Sequence, residues 1–376
     1  MDPVTTPARR RGLVGAGAAL AAAALLLTAC SSSTPAEETT SSSAESSSAT
    51  ETSTVEPGSV KLGIAYWDTI TVGFQLMAEG AQAVADADPA IDLIASAPNS
   101  GDPAKLLPLF QSMAQTQTDG VILQALAADP FYRPVLDTTE AGTPVIAIDA
   151  PPPADAGVDL WITNDNTALG TMLATELLKQ IPADATGEIV VGTNGPSVPP
   201  LMARVDGMIA TFQAERPGIT IVGPISTYGT QGSPQENYSA WEGIYNQHPD
   251  AVAYVAPGAQ DAVSLALVQE RNDTHFLAGG MDLEPGSMDA VKNGYIAALV
   301  SPEHWLKGYI AAKILAAHAE EGAEIPAGTW DTGGIVVTSD NIDEIIDRQS
   351  SPENMLAALG PVGDAQIADP SSYLTN

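Results

Sequence analysis

The chain has 376 residues, is 44% hydrophobic, and carries 46 acidic against 14 basic side chains, a formal charge of −32. That balance argues against a nucleic-acid partner, whose phosphates need cationic neutralisation, and against electrostatic adhesion to anionic lipid. Its single cysteine, Cys30, excludes an internal disulfide.

The first thirty residues read as an export address. Arg9, Arg10 and Arg11 form a basic n-region, and Gly12 to Leu27 is an apolar run too short to span a membrane comfortably. Leu27-Thr28-Ala29-Cys30 resembles a lipobox, in which an apolar residue and small residues precede a cysteine that becomes diacylated. Residues 1–29 are therefore expected to be a lipoprotein signal peptide, with Cys30 the lipidation site; two acyl chains anchor a protein stably. Arg10-Arg11-Gly12-Leu13-Val14 also fits a twin-arginine signal loosely, so both export routes stay open. Residues 30–58 are Ser, Thr, Glu, Ala and Pro with almost no large apolar side chain. Such a segment cannot bury enough surface to offset the entropy of ordering, and is expected to be a disordered tether reaching ~30 Å.

From Val60 the chain alternates short apolar runs with helical periodicity. Val60 to Tyr66 predicts a strand, Phe74, Met77, Ala81 and Val84 a helix, Ile91 to Ala95 a strand, and Leu106, Leu109, Phe110 and Met113 a helix. Val121 to Leu123, a helix around Phe131 to Glu140 and a strand from Pro144 to Ile148 continue the pattern. A second cycle opens with Leu160 to Ile162, then a helix through Leu169, Met172, Leu173 and Leu177. Strands at Ile189 to Val191, Ile219 to Val222, Val252 to Val255, Phe276 to Ala278 and Ala297 to Val300 follow, with helices near Val205 to Phe212 and Tyr238 to Tyr245. The succession is β-α-β throughout, with more strands than one compact sheet ordinarily holds, so the expectation is α/β with two doubly wound parallel-sheet lobes.

Ligands in such sheets sit beyond the carboxyl ends of strands, so the residues that follow strands are the candidates. Trp67 and Asp68 follow the first strand and Phe74 begins the next helix; Gln124 follows the third strand and Asp149 the fourth. Asp165 follows Trp161-Ile162, Arg204 lies past Thr193-Asn194-Gly195, Asp282 follows Gly280, and Glu303 follows Val300 within Glu303-His304-Trp305. Carboxylates accept charge-assisted bonds from hydroxyls, an Arg fork donates to two oxygens, and aromatic rings offer apolar plates to C–H faces. Asp165 can equally cap the helix that follows it, and Trp161 suits a core position better than a ligand contact.

Taken in order, these residues resemble the ribose- and galactose-binding class of periplasmic solute-binding proteins (type I). The resemblance rests on Ala78-Glu79-Gly80-Ala81, Asp102-Pro103-Ala104-Lys105, Thr143-Pro144-Val145-Ile146-Ala147-Ile148-Asp149, Asp165-Asn166 with Gly170, Arg204-Val205-Asp206-Gly207 and Gly280-Met281-Asp282. Asn293-Gly294 and Gly334 to Asn341 complete it, over roughly residues 59–347. It implies ligand contacts from Asp149, Arg204 and Asp282, and a three-strand hinge between lobes. The chain departs from the family at Thr71-Val72, at Gly73, at Ala150 after the Asp, and at Pro302. Pro257 to Asp261 replaces an Asn-Asp pairing and makes Gln260 a candidate contact. The class survives these departures; "ribose" does not.

The resemblance implies an extracytoplasmic, lipid-anchored monomer that captures a small sugar or polyol for an ABC transporter permease. Presentation of ligand to a membrane sensor, or a non-sugar ligand such as an amino acid or polyamine, stays open. An enzyme is not indicated. There is no Gly-x-Ser-x-Gly elbow, P-loop or His-Glu-x-x-His, and His248, His275, His304 and His318 are dispersed, so no catalytic residue, cofactor or metal is expected. The expected lobes are 59–163 with 302–330, and 164–301 with 331–348. The tail, 349–376, is expected to pack loosely or fray.

Overall fold

A computed structural model describes residues 56–227 and 233–375. The expected signal peptide, Cys30 and nearly all of the expected tether lie outside the described residues.

The first sheet forms where apolar runs are bracketed by turns: β1 (Val60–Ala65), β2 (Ile91–Ser96), β3 (Gly120–Leu123), β4 (Val145–Ile148) and β5 (Leu160–Thr163). Helices α1 (Val72–Ala87), α2 (Pro103–Thr116) and α3 (Tyr132–Glu140) connect the first four. β3 and β4 are buried along their whole length, as strands covered on both faces must be.

The second cycle comprises α4 (Asn166–Leu178), β6 (Gly187–Thr193), α5 (Pro199–Glu215), β7 (Ile219–Ser226), α6 (Pro234–Gln247), β8 (Ala253–Val255), α7 (Ala259–Asn272), β9 (Leu277–Met281), α8 (Pro285–Lys292) and β10 (Ala298–Ser301). Next come α9 (His304–Glu321), β11 (Gly328–Asp331), β12 (Ile335–Val337), α10 (Ile342–Arg348), α11 (Pro352–Ala368) and β13 (Leu374–Thr375).

The sheets run β13-β11-β5-β4-β3-β1-β2 and β12-β10-β9-β8-β6-β7. Apart from the added edges β12 and β13, which pair antiparallel, every pairing is parallel. Strand order reverses at β1/β3 in one lobe and at β6/β8 in the other, which sets a crevice at the carboxyl ends of each sheet. This is the α/β two-lobed architecture that the sequence predicts.

Each lobe joins two helices by the same device. In the second lobe a Cβ on Gly170 would stand 2.0 Å from the Arg204 carbonyl oxygen, and one on Gly207 would stand 2.1 Å from that of Thr167. In the first lobe Gly80 faces the Trp305 carbonyl and Gly308 that of Met77 in the same way. Only glycine lets α4 approach α5, and α1 approach α9, so closely.

The chain passes between the sheets at 164–165, 302–303 and 332–334. It then passes a fourth time at 349–351, because α10 buries Ile342 and Ile345 in the second lobe while α11 buries Met355 and Leu359 in the first. The tail therefore departs from the expectation of loose packing. Ser351 caps α11, Met355 and Leu359 lie one turn apart on its inner face, and β13 adds an edge to β11. Polar pairs fix it further: Trp330 Nε1 donates to Gln366 Oε1 (3.0 Å) and Tyr309 Oη to Asp364 Oδ1 (2.9 Å).

Candidate functional site

Between the lobes, at the carboxyl ends of both sheets, lies a cavity of about 670 Å³. That is within the range of ordinary small-ligand sites. Trp67, Asp68, Phe74 and Asp149 line it from the first lobe, and Arg204 and Asp282 from the second, joined by Asn194 and His304.

Asp149 and Asp282 occupy equivalent places, each directly after the fourth strand of its lobe. Both have φ of +67°. Each N–H donates to the neighbouring strand, Asp149 to the Ile162 carbonyl (2.8 Å) and Asp282 to that of Val300 (3.0 Å). A non-glycine residue in the left-handed region costs free energy and is retained where the surroundings over-determine it, typically at a functional site. The turn aims both carboxylates at the crevice.

Around Asp149 the first lobe builds a buried frame. Gln124, fully buried, accepts from the Trp67 N–H (2.7 Å) and donates Nε2 to Asp149 Oδ2 (3.3 Å). Lys307 Nζ donates to Asp149 Oδ1 at 2.6 Å and lies 3.1 Å from His304 Nδ1. In the second lobe Arg204 donates Nε to Asn166 Oδ1 (2.9 Å), and Nη1 to the Pro257 carbonyl (3.0 Å) and Asp282 Oδ2 (3.4 Å). His304 Nε2 stands 3.0 Å from Asp282 Oδ1, joining the two frames across the crevice.

Burial opposes ionisation of both aspartates, but the groups that face them outweigh it. The Lys307 and Arg204 charges and the adjacent His304 imidazole hold the Asp149 carboxyl well below the usual carboxylate range, and Arg204, His304 and Lys307 lower that of Asp282. Burial and then the Lys307 charge push the His304 imidazole down.

A second contact bridges the lobes at the rim. Glu284 accepts from the Val72 N–H at the start of α1, a helix whose Thr71 supplies no side-chain cap. Burial and then the Asp282 charge push the Glu284 carboxyl up to about 7.

The sequence-derived candidates thus divide. Trp67, Asp68, Phe74, Asp149, Arg204 and Asp282 meet at the cavity. Within that set Asp68 also holds its own turn, Oδ1 accepting from the N–H groups of Ile70 (2.9 Å) and Thr71 (2.7 Å). Gln124 stands behind the lining, supporting Asp149. Asp165 is exposed and caps α4, accepting from Ala168 N–H (2.9 Å). Gln260 lies in the first turn of α7, half-buried and outside the lining. Glu303 turns away. At φ +50° its carboxylate receives both Arg348 Nη groups (3.0 and 3.1 Å), while the adjacent His304 enters the cavity.

Three residues carried no sequence signal strong enough to single them out. His304 follows strand β10 as Glu303 does, and only the backbone turn decides between them. Asn194 directly follows β6; its side-chain Oδ1 is buried with no hydrogen-bond partner among the described residues and borders the cavity. Lys307 sits in an apolar helix, where nothing local announces a buried cation.

Comparison with known proteins agrees with the two-lobed fold. A family model for the periplasmic binding protein domain matches residues 62–324. The xylose/arabinose-binding protein XylF of Sulfolobus acidocaldarius is 21% identical over 240 residues, 60% of this chain and 58% of that protein, so the match spans less than two thirds of the relative's length. Among solved structures, the glucose-galactose binding protein GanP of Geobacillus stearothermophilus is similar with a TM-score of 0.64 at 24% identity, covering 74% of this chain and 97% of that one. A solute-binding protein from Burkholderia graminis, in complex with D-arabinose, gives 0.68 at 19% identity over 76% and 98%. A periplasmic ribose ABC transporter structure from Conexibacter woesei gives 0.66 at 23% over 77% and 96%.

Proposed function

Since the chain belongs to the periplasmic binding protein domain family, we propose that its crevice captures a monosaccharide or small polyol by closure of the two lobes. The observation that carries this reading is the cavity itself: Asp149 from one lobe opposes Arg204 and Asp282 from the other, with Trp67 and Phe74 beside them. Carboxylates and a guanidinium spaced around a small volume accept from and donate to hydroxyls, and the rings provide apolar plates. A ligand contacting both lobes binds only when they meet, so its binding free energy drives closure. The sugar ligands of the similar proteins support the same class.

The export reading belongs with it. A diacylated Cys30 and the Ser-, Thr- and Glu-rich segment that follows it hold the binding domain near an ABC transporter permease, to which a monomeric receptor delivers its ligand. Metabolic labelling with a fatty-acid probe is expected to mark the wild type and not Cys30→Ser. Label retained in the variant would refute the anchor.

The binding reading is tested by a thermal-shift screen of residues 54–376 against pentoses, hexoses, polyols, amino acids and polyamines. Binding to the native state raises stability by RT ln(1 + [L]/Kd), about 2.7 kcal/mol at 100 Kd. We expect a shift with at least one neutral sugar or polyol, reduced at least tenfold in apparent affinity by Asp282→Asn and by Arg204→Leu. Silence across the sugars with a response to an amino acid or polyamine would overturn the carbohydrate reading and leave the receptor fold intact.

A further inference from the structure

Lys307 is wholly buried, in the first turn of α9, directly before the Gly308 that lets the helix backbone meet α1. An ammonium group donates and never accepts, so the 3.1 Å approach to His304 Nδ1 requires that nitrogen to be unprotonated. The imidazole proton then sits on Nε2, from which it donates to Asp282 Oδ1 (3.0 Å). The side chains at the centre of the crevice therefore form one continuous series: Asp149, Lys307, His304, Asp282, Arg204. Two carboxylates meet two cations, and a neutral imidazole joins them; burial pushes the Lys307 ammonium down, and the Asp149 carboxylate at 2.6 Å opposes that. In a chain of formal charge −32, the crevice centre is balanced.

Lys307 does not line the cavity; it approaches Asp149 from behind. Asp149 thus offers a ligand its hydrogen-bonding lone pairs with its charge already compensated. A hydroxyl can use those lone pairs. An ammonium group would need the net charge, and would bring a third cation against Lys307 and Arg204. In a buried site such a term is only weakly screened.

We propose that Lys307 is the residue that sets ligand charge at this site, selecting neutral hydroxylated ligands over their amine-bearing counterparts. It is a positioning and specificity residue, acting through Asp149. The proposal rests on the sugar-binding reading above and adds the origin of its charge selectivity.

The test compares D-glucose with D-glucosamine and D-galactose with D-galactosamine, by calorimetry on residues 54–376 at pH 7. Wild type is expected to prefer the neutral member of whichever pair it binds by at least tenfold. Lys307→Met leaves Asp149 uncompensated, and should reduce that preference at least tenfold; Lys307→Arg should keep it. If Lys307→Met does not fold, Asp149→Asn with Lys307→Met removes both charges together, and its preference should stay on the neutral side. An unchanged ratio in a folded Lys307→Met, or a wild type that binds the amino sugar as well as the neutral one, would overturn the proposal.

A ligand-free readout separates its failure from that of the sugar reading. Imidazole ¹⁵N shifts should report a neutral His304 protonated at Nε2 in wild type. Lys307→Met should release Nδ1 and move the His304 titration to higher pH. If no sugar binds but His304 behaves so, the sugar reading falls while Lys307 still sets the charge of the crevice. If His304 carries its proton on Nδ1 in wild type, the series does not exist and the proposal falls with it.

Discussion

At the scale of single residues, the site is built from side chains whose protonation is fixed by their neighbours. Glu284 is the exception, a carboxylate pushed up to about 7 at a contact between lobes. Its folded value exceeds the ordinary 4.5, so the folded state holds a proton that the unfolded chain has already released. The stability this provides is full below pH 4.5 and is lost as pH rises through about 7. His304 works in the opposite direction. Its lowered value makes acid costly from its ordinary 6.5 downward, as the unfolded chain takes a proton the folded state refuses. Glu284→Gln isolates the first effect. Its melting temperature relative to wild type should become more favourable between pH 5 and pH 8, by about 2 °C or more. Parallel melting curves at all pH values would show that Glu284 does not titrate there.

At the scale of elements, the helix pairs flanking the crevice depend on reciprocal glycines. Arg204 reaches Asp282 because α5 lies against α4, and a methyl group at Gly207 would stand 2.1 Å from the Thr167 carbonyl oxygen. That obstacle is backbone and cannot rotate away. Gly207→Ala should therefore cost about 1–3 kcal/mol in urea unfolding, although alanine is the better helix former. On the proposed sugar-binding reading, weaker binding should accompany it, because Arg204 moves with the helix. A neutral or stabilising Gly207→Ala would mean that the helices can separate without penalty.

At the scale of the whole molecule, the fourth passage changes what the hinge is. Glu303, on the second passage, and Arg348, where α10 meets the fourth, form a two-armed pair with side chains only 5% and 10% exposed. Breaking one partner of such a pair strands the other charge in a dry site. Arg348→Ala should cost about 3–5 kcal/mol in urea unfolding, and Glu303→Leu with Arg348→Met should recover most of it. Equal costs for the single and double variants would assign the effect to packing. The pair also explains why Glu303 serves the hinge and His304 the cavity, although they are neighbours in sequence.

The sequence by itself determined the α/β class, the parallel strands and six residues of the cavity wall. Apolar runs four to six residues long, separated by helical periodicity, admit few other arrangements. A polar residue directly after such a run is carried to the crevice wherever the loop goes, so Asp149 and Asp282 were legible. Tertiary structure decided the rest. Asp165 and Glu303 also follow strands, but local capping and a left-handed turn point them elsewhere. Lys307 could not be read, because a lysine earns a buried place only from a carboxylate 158 positions away. The tail was illegible for a related reason: the faces of α11 are nearly balanced in sequence. Met355 and Leu359 become core only because α9, already in place, presents Leu306 and Tyr309 to cover them. Periodicity reports which face an element can bury; only the completed packing reports against what, and which charge that burial leaves to be balanced.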